Sequence, residues 1–357
     1  MKSYNILAIN PGSTSTKLAV FANEASIYET VMRHTREELA DVITMDDALS
    51  FRKKVILDAL NKGGVDISTL DAVIGRGGLM RPLEGGTYAV NSAMLDDLSS
   101  CKYGTHASNL GGRLAYEIAS SLGKPSFIAD PVVVDELDDL ARFSGYPGIE
   151  RTSIFHALNQ KAVAKRFAHT SGKKYQDLNI IVAHLGGGIS VGSHKKGRIV
   201  DVNNALGGDG PFTAERSGGL PTSSLVEFCF SGKFASAGEV LNELITHAGL
   251  FGYLGTNDGR EVDKMIEAGD AYAELVYRAM AYQIAKEIGS AAAVLCGDVD
   301  AIILTGGLAY DGMLMDWIRE RVEFIAKVTI MPGEDELSAL NEAASRVLSG
   351  EEAAKEY

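Results

Sequence analysis

Ile6-Leu7-Ala8-Ile9-Asn10 runs into Pro11-Gly12-Ser13-Thr14-Ser15-Thr16-Lys17 and emerges as Leu18-Ala19-Val20-Phe21. A short apolar strand breaks into a turn of glycine and hydroxyl residues and resumes as a second strand. The chain uses the phrase again: Ile180-Ile181-Val182-Ala183-His184, then Leu185-Gly186-Gly187-Gly188, then Ile189-Ser190-Val191-Gly192-Ser193. Each copy is followed by a second matching phrase, Asp71-Ala72-Val73-Ile74-Gly75-Arg76-Gly77-Gly78-Leu79 and Asp300-Ala301-Ile302-Ile303-Leu304-Thr305-Gly306-Gly307-Leu308, with Gly-Gly at the same offset from the aspartate. Matching halves with glycine-tipped strand ends predict two related domains facing each other across a cleft that holds phosphate.

The length agrees with a duplication, since 357 residues suit two domains of roughly 150 to 200 residues each. At 46% hydrophobic and 23% charged the composition is that of a globular protein. No stretch approaches the roughly 20 apolar residues of a membrane span, and Met1-Lys2-Ser3-Tyr4-Asn5 leads straight into a strand without a leader pattern. Cys101, Cys229 and Cys296 are odd in number and far apart, which speaks against disulfides and zinc and for a reducing compartment. A cytoplasmic location is therefore expected. The net charge of −13, with no basic run longer than Arg52-Lys53-Lys54, argues against nucleic acid as a partner.

Helical spacing of Ala48, Leu49, Phe51, Val55, Ile56, Ala59 and Leu60 predicts a helix over 45–62, closed by Gly63-Gly64. Strands at 71–75 and 127–131 and helices from 91 and over 108–122 complete an alternating α/β pattern. A long helix is expected between Arg151 and Ala168, next to the domain junction. Further helices are expected over 223–230, 237–249, 262–268, 270–295, 313–325 and 336–348, with strands at 302–305 and 328–331.

A phosphate held by a turn needs convergent backbone N–H groups, small side chains, and hydroxyls or a cation to complete the shell. Residues 10 to 17 supply all of these, although ordinary hairpin turns share the composition. Lys17 follows the turn, but without Gly-x-x-x-x-Gly-Lys-Ser/Thr this is no P-loop. The arginines beside glycines, in Gly75-Arg76-Gly77-Gly78 and Glu215-Arg216-Ser217-Gly218-Gly219, offer forks suited to phosphoryl oxygens. His184 ends a strand beside Gly186, and His106 precedes a helix. Asp130, an acid at a strand end, suits Mg²⁺ with its waters. Glu334-Asp335-Glu336 before the last helix is equally explained by the helix dipole.

Taken in order, Ile9–Lys17, His184–Ser190, Asp201-Val202-Asn203-Asn204-Ala205, Pro211-Phe212 with Glu215-Arg216-Ser217-Gly218, and Leu304-Thr305-Gly306-Gly307-Leu308-Ala309-Tyr310 resemble the acetate and butyrate kinase family of the actin-like ATPase superfamily. The similarity extends to Pro332-Gly333-Glu334-Asp335-Glu336-Leu337, nearly the whole chain, and leans toward the butyrate members. It implies a duplicated ribonuclease-H-like α/β fold of two domains around a central cleft: residues 1–150 plus 336–357, and residues 151–335, the second binding nucleotide.

By that resemblance the ATP phosphates face Gly12, Ser13, Thr14, Ser15 and Lys17 together with Gly186, Gly187 and Gly188, and Gly306 and Gly307 lie near the adenosine. Asn10 matches a polar residue close to Mg²⁺ and phosphate, Arg76 and Arg216 match two active-site arginines, and His184 matches a histidine that contacts the transferred phosphoryl group. His106 corresponds to a further active-site histidine, Asp130 to an acid near Mg²⁺, and Asp335 or Glu336, taken as Glu336, to a C-terminal acid on the metal side. The implied reaction converts ATP and a short-chain carboxylate to ADP and an acyl phosphate, in either direction, in a homo-oligomer. A non-catalytic actin-like ATP-binding protein and a kinase for acetate, propionate or branched acids are the alternatives. A dinucleotide-binding oxidoreductase is disfavoured, because neither glycine turn opens into a helix with Gly-x-Gly-x-x-Gly spacing.

Acetate kinases typically read Arg-Val-Val-His-Gly-Gly where this chain has Arg76-Gly77-Gly78-Leu79, and His-Asn-Pro-Pro-Asn where it has His106-Ala107-Ser108-Asn109. Aligned without a gap, Gly78 replaces a pocket-wall valine and makes room for more methylenes, each worth about 0.8 kcal/mol when buried. Butyrate or isobutyrate is then expected over acetate; pairing glycine with glycine across a deletion removes that argument.

Overall fold

A computed structural model describes residues 3–40 and 42–357. The chain forms two compact units, Met1–Val134 with Asp335–Tyr357, and Asp135–Glu334.

The first unit holds β1 (Asn5–Pro11), β2 (Ser15–Ala22), β3 (Ala25–Arg33), β4 (Ala72–Arg76), β5 (Thr87–Ala89) and β6 (Ser126–Ala129) in one sheet of order β3-β2-β1-β4-β6-β5. The first three strands form an antiparallel meander, and β4 and β6 run parallel to β1. Parallel neighbours need crossovers, supplied by α1 (Met45–Lys62) and then by α2 (Ser92–Ser100) and α3 (Asn109–Ser121). The α1 helix occupies the predicted span: Thr44 and Asp47 cap each other's backbone reciprocally, and Gly63 ends it. Leu7, Ile9, Leu18 and Val20 form a core with Leu49, Ile56 and Leu60 of α1 and Leu110, Leu114 and Ile118 of α3. The two-residue period of a strand turns Ile6, Ala8 and Asn10 to the other face.

The second unit begins with a small hairpin of β7 (Phe143–Tyr146) and β8 (Ile149–Glu150), followed by α4 (Ala157–Thr170). Its main sheet contains β9 (Asn179–Leu185), β10 (Ile189–Lys195), β11 (Arg198–Val202), β12 (Ala301–Gly306) and β13 (Val328–Pro332), in the order β11-β10-β9-β12-β13. Again three strands form an antiparallel meander and two run parallel to the first. This duplicated arrangement gives the two related domains expected from the repeated phrases, and it is the actin-like fold that the resemblance implies. The repeated aspartates have equivalent structural roles: Asp71 accepts from the Asn5 N–H at 2.9 Å, and Asp300 accepts from the Asn179 N–H at 2.9 Å. Each pins the start of the first strand of its unit's main sheet to the adjoining parallel strand.

Helices α5 (Thr222–Cys229), α6 (Ala237–Thr246), α7 (Gly249–Leu254), α8 (Gly259–Glu267), α9 (Ala271–Val294) and α10 (Gly312–Val322) belong to this unit. Tyr277, Met280, Ile284 and Ile288 of α9 lie in one core with Ile181, Leu185 and Ile302. Several expected helices have other bounds: α8 begins at Gly259 where 262 was expected, and α10 ends at Val322 where 325 was expected. The helix expected to include Ser153 starts only at Ala157, and the one expected to reach Gly249 stops at Thr246, where Gly249 with φ +59° begins α7. The units part at Val134/Asp135, earlier than position 150, because Glu136 holds its segment to the second unit. Its carboxylate pairs with Lys161 of α4 at 2.9 Å, both side chains 5% exposed, and accepts from the Ile199 N–H.

The last helix, α11 (Glu336–Ser349), belongs to the first unit. It covers the sheet face opposite α1 and α3 and buries Leu337, Leu340 and Ala344. No helix among the described residues is long and apolar enough to cross a membrane.

Candidate active site

In open α/β sheets, ligands bind beyond the carboxyl ends of parallel strands. In the first unit Asn10 lies at that end of β1, Arg76 ends β4, and Asp130 directly follows β6. The Asn10 amide, 5% exposed, donates to Glu336 Oε2, and Glu336 Oε1 lies 3.0 Å from Arg76 Nη1. Glu336 is thus the acid on the Asn10 side, while the Asp335 carboxylate accepts from the Ser338 N–H and caps α11. Asp130 has the left-handed φ of +37°, and its Oδ1 accepts from the Gly86 N–H at 2.6 Å. A non-glycine residue held in that region marks a position fixed by its surroundings.

His106 keeps a solvent-exposed edge, with Nδ1 accepting from the Ser108 N–H at 3.1 Å, so Nε2 carries the proton of the neutral ring. Partial burial, and then the Arg76 charge, lower its pKa below the ordinary histidine value. Fully buried Asn109 links the loops bearing these two residues: its Oδ1 accepts from the Leu79 N–H at 2.8 Å and its Nδ2 donates to Gly104 O at 2.9 Å.

Gly78 corrects the pocket expectation. A Cβ there would fall 2.5 Å from the Cα and 2.5 Å from the Oδ1 of Asn109. The missing side chain lets the loop lie against the start of α3; it does not open space for acyl methylenes.

The β1–β2 turn places Gly12, Ser13, Thr14 and Ser15 beyond Asn10, with Ser13 and Thr14 exposed and Gly12 N–H donating to Ser15 O at 2.8 Å. Lys17 is exposed and stands directly across the ladder from Asn10.

In the second unit, His184 is 1% exposed. Its Nδ1 meets Asn159 Oδ1 at 2.8 Å and its Nε2 lies 3.1 Å from Glu334 Oε1. Because the Asn159 amide donates to Gly333 O, its oxygen is left to accept from His184 Nδ1–H. His156 stacks on His184 with ring centroids 3.8 Å apart and planes 9° apart. Its Nδ1 lies 2.9 Å from Ser190 Oγ, which also accepts from Gln160 Nε2. Gln160 Oε1 in turn lies 3.0 Å from Nε2 of fully buried His194, whose pKa burial and then the Lys161 charge hold well below the usual value.

The glycine turn lies over this pair. A Cβ on Gly188 would come within 2.3 Å of Arg216 Nη1 and 3.3 Å of His156 Cε1, and one on Gly186 within 3.0 Å of Glu334 Oε1, whereas Gly187 faces open space. Arg216 donates to Ala205 O at 2.5 Å and forms no carboxylate ion pair among the described residues. Burial lowers its pKa from the usual arginine value. Gly306, at φ +92°, ends β12 against the end of β9, where a Cβ would sit 2.3 Å from Leu185 O; Gly307 beyond it is open.

No three His, Cys, Asp or Glu residues among those described form a ready cage for a metal. One amide and scattered carboxylates are nevertheless a fitting donor set for Mg²⁺, which keeps its waters and completes its shell with substrate phosphates.

The sequence reading missed His156, Asn159, Asn109 and the part played by Glu334. His156 had no local signal, since it occupied a stretch read as helix; Glu334 was visible as an acid next to a helix start.

A model of the acetokinase family matches residues 146–354, more than half of the chain. Among solved structures, acetate kinase from Porphyromonas gingivalis is 18% identical, with a TM-score of 0.78 over 96% of this chain and 99% of that one. A propionate kinase from Francisella tularensis subsp. tularensis SCHU S4 is 20% identical, with a TM-score of 0.72 over 95% and 98%. Acetate kinase from Entamoeba histolytica is 17% identical, also at 0.72, over 96% and 99%. These likenesses establish the fold.

Proposed function

The chain belongs to the acetokinase family and is by that membership an ATP-dependent carboxylate kinase; from that premise we propose that its acceptor is a four-carbon acid, butyrate or isobutyrate. What supports a longer acid than acetate is the departure from the acetate kinase pattern in the two segments that carry Arg76 and His106. The volume argument at Gly78 does not support it.

The observation that carries the catalytic reading is Arg216, a half-buried guanidinium without a carboxylate partner among the described residues, lying over Gly188 beside the stacked histidines. A short-chain carboxylate, with a pKa of about 4–5, is already ionised at neutral pH and needs no general base. The difficulty is bringing an anion to a polyphosphate, so positively charged and N–H-donating groups dominate the residue set. A carboxylate oxygen attacks the γ-phosphorus, the bond to the β,γ-bridging oxygen breaks, and ADP leaves with the electron pair; no proton moves. Arg76 and His106 orient the carboxylate, while Arg216, His156 and His184 take up charge on the transferring phosphoryl group. Asn10, Asp130 and Glu336 would hold Mg²⁺ through its waters, and the ion neutralises phosphate charge when bound. By this reading the glycines at 186–188 and the 12–15 turn receive the phosphates, Lys17 adds a positive charge next to the 12–15 turn, and Gly307, open beyond the close approach of Gly306 to Leu185, leaves room for the adenosine.

The test is ATP-dependent acyl phosphate formation, trapped as hydroxamate, across acetate, propionate, butyrate, isobutyrate and valerate. A maximum in kcat/KM at four carbons supports the proposal. A maximum at acetate or propionate overturns the chain-length reading, and no product from folded, ATP-binding protein overturns catalysis and favours the actin-like binding reading.

A further inference from the structure

Arg52 sits on the inward face of α1, 4% exposed, and no carboxylate pairs with it among the described residues. Its two terminal nitrogens are committed to the β1–β2 turn. Nη2 donates to Gly12 O at 2.7 Å and Ser13 O at 3.1 Å, and Nη1 donates to Ser15 O at 2.8 Å and Thr16 Oγ1 at 2.7 Å.

That pattern has a geometric consequence. In a trans peptide the C=O and the following N–H point in opposite directions. Drawing the Gly12 and Ser13 carbonyls toward one guanidinium therefore turns the Ser13 and Thr14 N–H groups away from it. Both of these residues are exposed, and neither amide has a hydrogen-bond partner among the described residues. Two adjacent outward N–H groups form the concave donor pair that receives anions.

The second neighbour of the turn adds no competing charge. Thr16 Oγ1 accepts from Arg52, which leaves its own proton for His34 Nε2 at 2.9 Å, and the His34 backbone N–H donates to Thr14 O at 2.9 Å. Burial, and then the Arg52 charge, lower the pKa of His34, so the ring is neutral here. The turn is thus backed by one cation whose compensating anion is not supplied by the described protein, although buried charges are ordinarily paired.

We propose that Arg52 is a positioning residue of the nucleotide site: it holds the Ser13 and Thr14 amides toward a phosphate of the bound nucleotide and acts on that phosphate through the turn, without touching it. Only the identification of the anion as a nucleotide phosphate rests on the kinase reading above.

The test compares full-length wild type, Arg52→Met and Arg52→Lys for thermal midpoint, for dissociation constants of ATP and of adenosine, and for KM of ATP and of the carboxylate. Losing the charged fork should weaken ATP binding on the order of ten- to a hundredfold. Adenosine, which has no phosphate, should bind within about twofold of wild type. Arg52→Lys keeps the charge but not the fork, so its loss should be intermediate, with KM for ATP raised and KM for the carboxylate unchanged. A folded variant with wild-type ATP affinity overturns the proposal, as does an equal loss for ATP and adenosine, the sign of a merely structural residue. Should Arg52→Met not fold, Arg52→Lys decides by the same ratio. If the wild type makes no acyl phosphate, the kinase reading fails while the comparison of ATP with adenosine still decides the role of Arg52.

Discussion

His156 lies flat on His184, the ring centroids 3.8 Å apart and the planes 9° from parallel. The two rings are anchored by different partners, His184 by Asn159 and His156 by Ser190. Each can therefore be removed without releasing the other. His156→Asn should fold with little change in thermal midpoint and lose kcat by on the order of a hundred- to a thousandfold, the usual effect of removing a donor to developing charge. Steady-state acyl phosphate formation checks this, and a kcat within about threefold of wild type would remove His156 from the chemistry.

Glu336 joins Asn10 to Arg76. Glu336→Gln keeps its size and removes the charge, so the Mg²⁺ concentration for half-maximal activity should rise several-fold, roughly the effect of losing one supporting group around a metal. A Mg²⁺ titration at fixed ATP reads it. An unchanged midpoint would mean that Glu336 serves Arg76 alone.

Gly75 and Gly111 bring β4 and α3 into backbone contact: a Cβ on Gly111 would fall 2.1 Å from Arg76 O, and one on Gly75 would fall 2.0 Å from Gly111 O. Gly111→Ala must push the helix off the strand whose last residue is Arg76. Overpacking of this kind costs about 3 kcal/mol or more. Urea unfolding should show the loss, and a wild-type midpoint would contradict the close approach.

Asp263 of α8 lies beside Asp311, and burial, followed by the Asp311 charge, pushes its pKa up to about 6 from an ordinary 3.8. A raised folded-state pKa contributes stability that is complete below the unfolded value and is lost as pH rises through the folded one. Asp263→Asn should thus be more stable than wild type above pH 6, by roughly 1 kcal/mol once solvent screening is allowed for. The difference should vanish below about pH 4. Thermal melts across that range test it, and a gap independent of pH would refute the ionisation as its cause.

What was legible in the sequence was local or repeated. Asp71 and Asp300 stand at equal offsets because each closes the same contact onto Asn5 or Asn179. The α1 span was readable because its apolar positions recur at helical spacing and Gly63 closes it. Gly78 misled because a glycine that leaves space and one that admits a neighbouring backbone look the same in one dimension. His156 was hidden because it sits at the start of α4 while its partner His184 lies on β9, distant in sequence. Arg52 was hidden differently: it read as part of the basic run Arg52-Lys53-Lys54, yet Leu49, Arg52 and Ile56 recur at helical spacing on one stripe. That stripe was the available sign that this arginine points inward.

The placement of α11 also sets an order of assembly. The segment 135–334 is continuous, so its unit can close as soon as it leaves the ribosome. The unit that is made first cannot: one face of its sheet, with Ile6 and Ala8, stays bare until residues 336–349 arrive to cover it. The usual N-to-C sequence of domain folding during synthesis is reversed. The oldest strands wait for the youngest helix, and over that interval they are the part of the nascent chain most in need of protection from other nascent chains.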